Sequence, residues 1–403
     1  MELLSPAGDP ERLRYALHYG ADAVYIGYKE FGMRSSCGNF DYDDIREAVR
    51  LCRSLGKRLY VTVNIFPYPG ETERMIPFFR EMEKIRPDAF IIADIGVMAL
   101  ARRYAPDVAI HISTQANVTA APAAVQYYEM GASRVVLARE LSLEQIAAIR
   151  RDTPRELEIE CFVHGAMCMS VSGRCHLSRY LTGRDAGHGA CTQPCRWEYA
   201  VTERTREGLY FPVEQTERGS FIFNANDLCM ISHLKELEEA GVTACKIEGR
   251  AKTFYYVAAV TAAYRRALDE IRATGGLQNA EKYEREVRKV SHRPYSTGFY
   301  FSPLGGGAEI RKGGYERTYE VVATVLDGGN GRARVTQKNK FSAGDTLEVL
   351  SPGKDPAAFT VGEMRTEDGA PVTDAPHAEQ TLVLSCGLPL SPMDILRRKK
   401  EEG

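Results

Sequence analysis

Residues 2–27 read ELLSPAGDPERLRYALHYGADAVYIG, and this stretch contains one complete strand–helix–strand unit. Glu2–Ser5 and Ala23–Gly27 have the composition of strands, and Pro10–Tyr19 between them repeats apolar residues at helical spacing. The triplet Gly20–Asp22 closes the helix with a glycine. A helix that separates two strands in this way indicates that the strands pair in parallel.

The same alternation continues for about 270 residues. Further strands are predicted at Arg58–Ile65, Ala89–Ala93, Ala109–Ser113, Arg134–Ala138, Leu157–Val163 and Thr243–Glu248. About eight such units predict an α/β protein with a TIM-like (β/α)8 barrel, whose active site would lie at the C-terminal ends of the strands. A doubly wound open sheet is the alternative, although no G-x-G-x-x-G follows an early strand.

Changes in composition divide the chain into four parts. A Cys-rich insertion at about 165–220 interrupts the strand–helix rhythm inside the barrel. A small C-terminal all-β barrel is predicted where short alternating segments separated by Asp-Gly and Asn-Gly turns begin. The predicted parts are the barrel at 1–275, a Gly- and Pro-rich connector at 276–317, the β-barrel domain at 318–395 and a basic tail at 396–403.

Composition limits the class of protein. The chain has 403 residues, of which 44% are hydrophobic, so it can bury a sizeable core. A net charge of -2 argues against a surface that is basic throughout, so any contact with RNA must use a local patch. The start lacks the pattern of a signal peptide and no apolar run approaches about 20 residues, so we expect a cytoplasmic protein without a membrane segment.

Four of the ten cysteines form a block with the spacing C-x6-C-x15-C-x3-C, at Cys168, Cys175, Cys191 and Cys195. A structural zinc usually takes paired C-x2–4-C knuckles, whereas uneven spacing in a Gly-rich loop suits the larger Fe–S cluster. Zinc and four incidental thiols remain as alternatives. Cys229 is an alternative fourth ligand, and Cys37 is a weaker one. The cysteines in apolar periodic contexts are predicted to be buried: Cys52, Cys161, Cys245 and Cys386.

Several segments resemble peptidase family U32, the collagenase-like family. They are Leu4–Asp9, Gly20–Gly27, His111–Gln115, Glu160–Ser178 and Lys246–Arg250. Ser291–Phe299 and the C-terminal β module are similar to one branch, the prephenate-dependent tRNA uridine hydroxylases. This resemblance implies formation of 5-hydroxyuridine at the wobble position, with a [4Fe–4S] cluster, prephenate as a small carboxylate co-substrate and tRNA as the partner. Relatives in the family hydroxylate other RNA or quinone precursors, and some are named peptidases.

Polar residues at the ends of the predicted strands are the remaining site candidates. We assign catalytic roles to His111, Gln115, Glu160, His164 and Glu248. We assign substrate binding to Asn64, Ser113, Arg139, Asn224 and Arg250. Arg139 and Arg250 could hold two carboxylates as arginine forks, or could instead pair with the neighbouring Glu140 and Glu248. The aromatic residues Tyr25, Tyr28 and Phe66 could stack on a base or belong to the core.

Two other functions stay open on the sequence. A peptidase would need one activated cysteine, for example Cys168 with His164, rather than four in a block. A non-catalytic RNA-binding protein would use the block for a structural zinc. Basic residues of the insertion and of Arg397–Lys400 could follow a phosphate backbone or form a solvated surface. A homo-oligomer, or a hetero-oligomer with a paralogue, is also possible.

Overall fold

The structure is a computed structural model of the chain. It describes residues 1–33, 38–167, 175, 177–194, 214–216, 219–221, 226–301, 315–329 and 331–400. Cys37, Cys168, Cys195 and Asn224 lie outside these residues, and so do Arg174, Arg196, Arg311 and Lys312.

Eight parallel strands of the described chain close into a barrel. In chain order they are β1 (Glu2–Pro6), β2 (Ala23–Gly27), β3 (Arg58–Val63), β4 (Ala89–Ile92), β5 (Ala109–Ile112), β6 (Arg134–Val136), β7 (Glu158–Ala166) and β11 (Ala244–Ile247). Strand β11 pairs in parallel with both β1 and β7, which completes the ring. The predicted (β/α)8 barrel is therefore confirmed, and a doubly wound sheet is excluded because such a sheet keeps two free edges.

Helices surround the barrel and return the chain from one strand to the next. They are α1 (Pro10–His18), α2 (Tyr42–Ser54), α3 (Thr72–Ile85), α4 (Ile95–Tyr104), α5 (Ala121–Glu129), α6 (Leu143–Arg151), α8 (Leu234–Glu239) and α9 (Phe254–Thr274). Local sequence fixes their starts: Asp9 caps α1 by accepting from the Arg12 amide, and Asp41 forms a capping box with Asp44 at α2. None of the described helices is long and apolar enough to cross a membrane.

The insertion follows β7, at the C-terminal end of the barrel strands. It contains α7 (Leu177–Thr182), the hairpin β8 (Glu214–Thr216) and β9 (Gly219–Phe221), and β10 (Asp227–Cys229). Strand β10 runs antiparallel to β7, with Cys229 opposite His164. Strand β10 joins the insertion to the barrel sheet.

The predicted connector is more ordered than its composition suggested. It contains α10 (Ala280–Val287) and the short strand β12 (Tyr295–Ser296), which extends the barrel sheet beside β10. Within α10, Tyr283 and Val287 are buried four residues apart, the spacing of an amphipathic helix. The glycines and prolines at the ends of the connector obscured this short periodic segment.

The C-terminal domain is an antiparallel half-barrel, in agreement with the predicted all-β module. Its strands are β13 (Tyr319–Gly329), β14 (Arg332–Gln337), β15 (Phe341–Ser342), β16 (Thr346–Leu350), β17 (Ala357–Thr360), β18 (Met364–Thr366), β19 (Pro371–Val372), β20 (Asp374–Ala375), β21 (Thr381–Ser385) and β22 (Ile395–Lys399). The basic run predicted as a tail is largely β22, which pairs with β13 and β16. That prediction is wrong because Arg397 is fully buried and ion-paired.

Polar contacts join the half-barrel to the α/β barrel. Arg397 lies between Glu348 of its own domain and Glu286 of α10, with Nη2 2.5 Å from Glu286 Oε2. Tyr19, at the end of α1, donates to the carbonyl of Leu350 at 2.8 Å. These contacts hold the C-terminal domain against α1, α9 and α10, on the helical exterior of the barrel.

Candidate active site at the barrel mouth

Ion pairs fill the barrel interior near the N-terminal ends of the strands. Arg134 Nη1 lies 2.7 Å from Glu2 Oε1 and 2.9 Å from Glu160 Oε2. Lys246 Nζ lies 2.9 Å from the other oxygen of Glu160. Burial pushes the pKa of Glu160 up, but the charges of Lys246 and Arg134 outweigh it and leave that pKa below its ordinary value. Glu160 is therefore a buried, paired carboxylate near the start of β7, not a group at the strand end where the sequence placed it.

His111 also lies inside the barrel. Its ring meets the Tyr60 ring edge-on, with the centroids 4.6 Å apart. Burial, followed by the positive charges of Arg134, Lys246 and Arg58, holds the pKa of His111 well below its usual range, so the imidazole is neutral. Its Nδ1 is buried and has no hydrogen-bond partner among the described residues.

An inner pocket of about 40 Å³ opens above these groups at the ends of the strands. Its lining includes five of the predicted site residues: Asn64, Ser113, Gln115, Glu248 and Arg250. The Gln115 side-chain oxygen accepts from Asn64 Nδ2 at 3.2 Å and also from the Ser113 hydroxyl. These residues come from three different strand ends, which the sequence could place on one face of the barrel but not in contact.

Arg250 enters this pocket because glycines leave room for it. A Cβ at Gly27 would clash with the Arg250 guanidinium, and one at Gly8 would clash with the Arg250 carbonyl. Arg250 Nη1 donates to Thr62 Oγ1 at 3.1 Å. Gly8 and Gly27, from the two N-terminal motifs, thus leave the space that Arg250 occupies.

A larger mouth pocket of about 560 Å³ lies beside the inner one. It is lined by Ala166, Gln193, Glu248, Gly249, Ala251, Lys252, Thr253, Tyr256, Ser291, Tyr315 and Arg317. Its volume falls in the range of small-molecule sites, about 300–1,000 Å³, whereas the inner pocket has room for only a few atoms.

Glu248 lines both pockets, and its backbone is tightly held. Its amide donates to the His164 carbonyl at 2.8 Å, and its carbonyl accepts from the Tyr256 hydroxyl at 3.0 Å. Gly165 has φ +107° and approaches the Glu248 carbonyl so closely that a side chain at position 165 would clash. The end of β7 is thereby joined to the end of β11 at the boundary of the two pockets.

The Cys-rich insertion packs over the loop that follows β3. Tyr68 donates to Asp185 at 2.6 Å, and the His188 ring nitrogen lies 3.0 Å from Glu71 Oε2. Cys175 is partly buried and Cys191 is exposed. The Gln193 amide lies 3.4 Å from Cys191 Sγ, and Gln193 lines the mouth pocket.

Two residues that line the mouth pocket are close in sequence to the cysteine block. Ala166 and Gln193, both in its lining, stand two residues from Cys168 and Cys195 in the sequence, and Gln193 is also two residues after Cys191. Thiolates supplied from these positions are the donors that an Fe–S cluster takes. The described residues alone contain no group of three or more His, Cys, Asp or Glu that could hold a metal ion, and two of the block's four cysteines lie outside them.

Cys229 lies on β10, opposite His164 of β7. It lines a separate pocket of about 120 Å³ with His233, Glu284, Arg288 and Tyr295. Burial raises the pKa of Cys229 to about 11. The predicted core cysteines Cys52, Cys161, Cys245 and Cys386 are all buried.

Besides Glu160 and His111, two more predicted site residues, His164 and Arg139, lie outside the linings of both pockets. His164 is buried between β7 and α9, where its Nδ1 and Nε2 lie 3.3 and 3.2 Å from the hydroxyls of Tyr264 and Tyr295. Burial lowers the pKa of His164 to about 3. Arg139 donates to the Ala166 carbonyl at 3.0 Å and lies over the Phe162 ring, so it braces the pocket wall from behind.

The three aromatic candidates lie in different places, and only Tyr25 lines one of the two pockets. Tyr25 lines the inner pocket and donates to the Ile247 carbonyl at 2.9 Å. Tyr28 packs on Tyr42 with the ring centroids 4.9 Å apart, within the core. The Phe66 amide donates to the Gly187 carbonyl of the insertion.

Apart from Glu248, the sequence did not indicate the polar residues of the mouth pocket, nor Lys246 in the lining of the inner pocket. Lys246 could have been found, because it stands two residues before Glu248 and side chains two apart face the same side of a strand. The others, Lys252, Tyr256, Ser291, Tyr315 and Arg317, come from separate segments without a common period.

Comparisons with known proteins cover both parts of the chain. The model of peptidase family U32 matches residues 8–308, and the model of that family's C-terminal domain matches residues 317–397. The chain is 35% identical over 425 residues to tRNA hydroxylation protein P of Escherichia coli (strain K12), spanning 95% of this chain and 93% of that protein.

Two further relatives carry other names. A 23S rRNA 5-hydroxycytidine synthase of Escherichia coli (strain K12) is 37% identical over 271 residues, which is 67% of this chain and 40% of that protein. A collagenase of Porphyromonas gingivalis is 33% identical over 310 residues, which is 74% of this chain and 73% of that protein. The similarity therefore extends to relatives named for RNA hydroxylation and for proteolysis.

Proposed function

The chain belongs to peptidase family U32, and from this membership we propose that it hydroxylates RNA: it converts the wobble uridine of tRNA to 5-hydroxyuridine. The tRNA hydroxylation protein is similar along almost the whole chain, and the rRNA synthase shares the barrel region. The observation that carries the proposal is the pocket at the barrel mouth, whose lining includes Gln193 of the Cys-rich insertion.

The cysteine block would hold a [4Fe–4S] cluster next to that pocket, through Cys168, Cys175, Cys191 and Cys195. When bound, the cluster would supply electron transfer or Lewis acidity at the barrel mouth. Cys229, which lies opposite His164 on β10, is the alternative fourth ligand.

Prephenate would serve as the co-substrate, and Arg250 is the cation best placed for one of its carboxylates. Arg250 lines the inner pocket, whose volume of about 40 Å³ suits a carboxylate rather than a whole ring acid. The rest of the molecule would extend into the mouth pocket. Asn64, Ser113 and Gln115 supply hydrogen-bonding groups around the same space.

Proteolysis is the competing function, because a collagenase is among the relatives. A cysteine nucleophile near Cys168 would need a base such as His164. Both ring nitrogens of His164 lie within 3.3 Å of tyrosine hydroxyls, and burial lowers its pKa to about 3. A histidine held in this way is a poor base for a thiol, which favours hydroxylation over proteolysis.

The proposal is tested by nucleoside mass spectrometry of tRNA from a deletion strain that also lacks any paralogue. Complementation with the wild-type chain should restore 5-hydroxyuridine and the nucleosides derived from it, and Cys191→Ser should not. Cys245→Ser, at a buried cysteine, is the matched control and should restore them. Unchanged nucleosides in the deletion strain would reject the proposed function.

The cluster has its own test in the purified protein. Anaerobically purified wild type and Cys245→Ser should contain iron and acid-labile sulfide and absorb broadly around 400 nm. Cys191→Ser should lose most of that iron. Colourless protein that contains zinc would instead support a structural metal site.

A further inference from the structure

The mouth pocket holds a lysine between two tyrosine rings. Lys252 Nζ lies 5.2 Å from the centroid of the Tyr256 ring and 4.7 Å from that of Tyr315. The same ammonium donates to the Ser291 carbonyl at 3.2 Å. Three contacts from three segments of the chain therefore fix a positive charge in the lining of the pocket.

The two rings differ in exposure. Tyr256 is only 3% exposed and its hydroxyl is bound to the Glu248 carbonyl, whereas Tyr315 is 41% exposed. The backbone next to Tyr315 is nevertheless held in place, since Glu316 and His292 exchange two amide–carbonyl hydrogen bonds of 2.7 and 3.2 Å. Tyr315 is thus an exposed aromatic ring on a fixed backbone at the rim of a substrate-sized pocket.

Arg317 follows two residues after Tyr315 and lines the same pocket. An aromatic ring with cations beside it is the arrangement by which proteins hold an unstacked nucleotide of single-stranded RNA, because every base has a face that can stack. The pocket volume of about 560 Å³ leaves room for such a ligand.

We propose that the mouth pocket receives one unpaired nucleotide of the RNA substrate, with its base stacked on Tyr315 and its phosphate beside Lys252 and Arg317. This inference rests on the proposed function, because it assumes that the substrate is RNA. It assigns the mouth pocket to the nucleotide and the deeper inner pocket to the carboxylate of the co-substrate, with Glu248 between them.

The test measures RNA binding by the full-length protein, using fluorescence anisotropy of a labelled anticodon stem–loop with uridine at the wobble position. Tyr315→Ala should weaken binding roughly 5- to 100-fold, the range found when a stacking side chain is removed. Tyr315→Phe keeps the ring and should bind like the wild type. Tyr104→Ala is the matched control, because the Tyr104 ring also lies against cations, Arg80 and Arg103, but ends α4, whose C-terminus is at the opposite end of the barrel.

Salt dependence separates the phosphate contact from stacking. Lys252→Gln should reduce the slope of log affinity against log salt by about one, and Tyr315→Ala should leave that slope unchanged. Lys84→Gln, on the outer helix α3, is the control for a general loss of charge. Iron content, measured on every variant, shows whether the site is otherwise intact.

The outcomes distinguish this inference from the proposed function. If wild-type cells make 5-hydroxyuridine but Tyr315→Ala binds the stem–loop as tightly as wild type, the nucleotide site is refuted and RNA hydroxylation stands. The nucleotide site is also refuted, and RNA hydroxylation stands, if Tyr315→Ala raises only the KM for prephenate. If binding depends on Tyr315 but no hydroxylated nucleoside forms, the nucleotide site is supported and the proposed reaction is rejected.

Discussion

Lys246 and Glu160 form an ion pair inside the closed part of the barrel, with Lys246 Nζ 2.9 Å from Glu160 Oε1. Their side chains are 5% and 0% exposed. Arg134 binds the other oxygen of the same carboxylate, so one buried negative charge is paired with two buried cations. A group engaged in this way stabilises the charges around it and is not available to exchange protons with a substrate.

Glu160→Gln is therefore expected to destabilise the protein. Removing the carboxylate leaves Lys246 and Arg134 without their shared partner, which should lower the free energy of unfolding by about 3–5 kcal/mol. Urea denaturation measures the change. Glu363→Gln, which removes the exposed partner of Arg365, is the control and should have no measurable effect. A Glu160→Gln variant as stable as wild type but inactive would restore the catalytic assignment.

The buried histidines predict how stability depends on pH. The pKa of His164 is about 3 in the folded chain and about 6.5 in the unfolded chain. Between these values only the unfolded state binds the proton. Stability is therefore fully present above pH 6.5 and falls as the pH drops, by up to about 1.4 kcal/mol per pH unit for this one group.

Urea denaturation at several pH values between about 6 and 4 checks this prediction. His164→Gln should reduce the slope of unfolding free energy against pH, whatever its effect on overall stability. His377→Gln, at an exposed position of the C-terminal domain, should leave the slope unchanged. An equal slope in wild type and His164→Gln would show that His164 is not held neutral by burial.

The sequence predicted the barrel well because strand–helix alternation is a local signal, and each of the eight strands was found. It predicted the inner pocket in part, because polar residues such as Asn64 stand at the ends of the strands, where a barrel has its site. The same argument failed for His164. The pairing register of β7 and β11 shifts between Lys246 and Ile247, which places His164 against Tyr264 of α9.

The mouth pocket could not be predicted in the same way. Lys252, Ser291 and Tyr315 are brought together only by the packing of the turn before α9, the segment after α10 and the segment before β13. Composition also misled at Arg397–Lys400, where a basic run suggested a solvated tail. Arg397 is buried because two carboxylates from different domains surround it, and no feature of the local sequence reveals them.

Arg250 and Arg139 were predicted to act together on a dicarboxylate, and the structure separates them. Arg250 lines the inner pocket, whereas Arg139 is bound to the Ala166 carbonyl. Arg250→Gln should raise the apparent KM for prephenate by about 10- to 100-fold, the loss expected for one hydrogen bond to a charged group. Steady-state kinetics on anaerobic protein measures this.

Arg139→Gln is the matched control in those kinetics and should raise that KM much less than Arg250→Gln does. Equal increases in both variants would mean that both arginines contact the acid, as the sequence alone suggested. An Arg250→Gln variant with an unchanged KM would remove the carboxylate from the inner pocket.

Arg397 is expected to hold the two domains together. Its guanidinium is fully buried between Glu348 and Glu286 and donates to the Tyr255 hydroxyl at 3.2 Å. Arg397→Met removes the buried cation between Glu286 and Glu348 and leaves Lys289 as their remaining partner, so the unfolding free energy should fall by about 1.5–3 kcal/mol. Because these contacts cross the domain boundary, calorimetry should also resolve two transitions where wild type shows one.

Lys399→Gln tests whether this effect belongs to the buried arginine or to the basic run as a whole. Lys399 lies two residues along β22 from Arg397 but is exposed, so its substitution should leave a single transition at the wild-type temperature. Two transitions in Lys399→Gln, or one in Arg397→Met, would show that the domains are coupled by contacts other than this ion pair. If the coupling does depend on Arg397, the same variant should displace Tyr315, which precedes β13, and weaken binding of the stem–loop RNA as well.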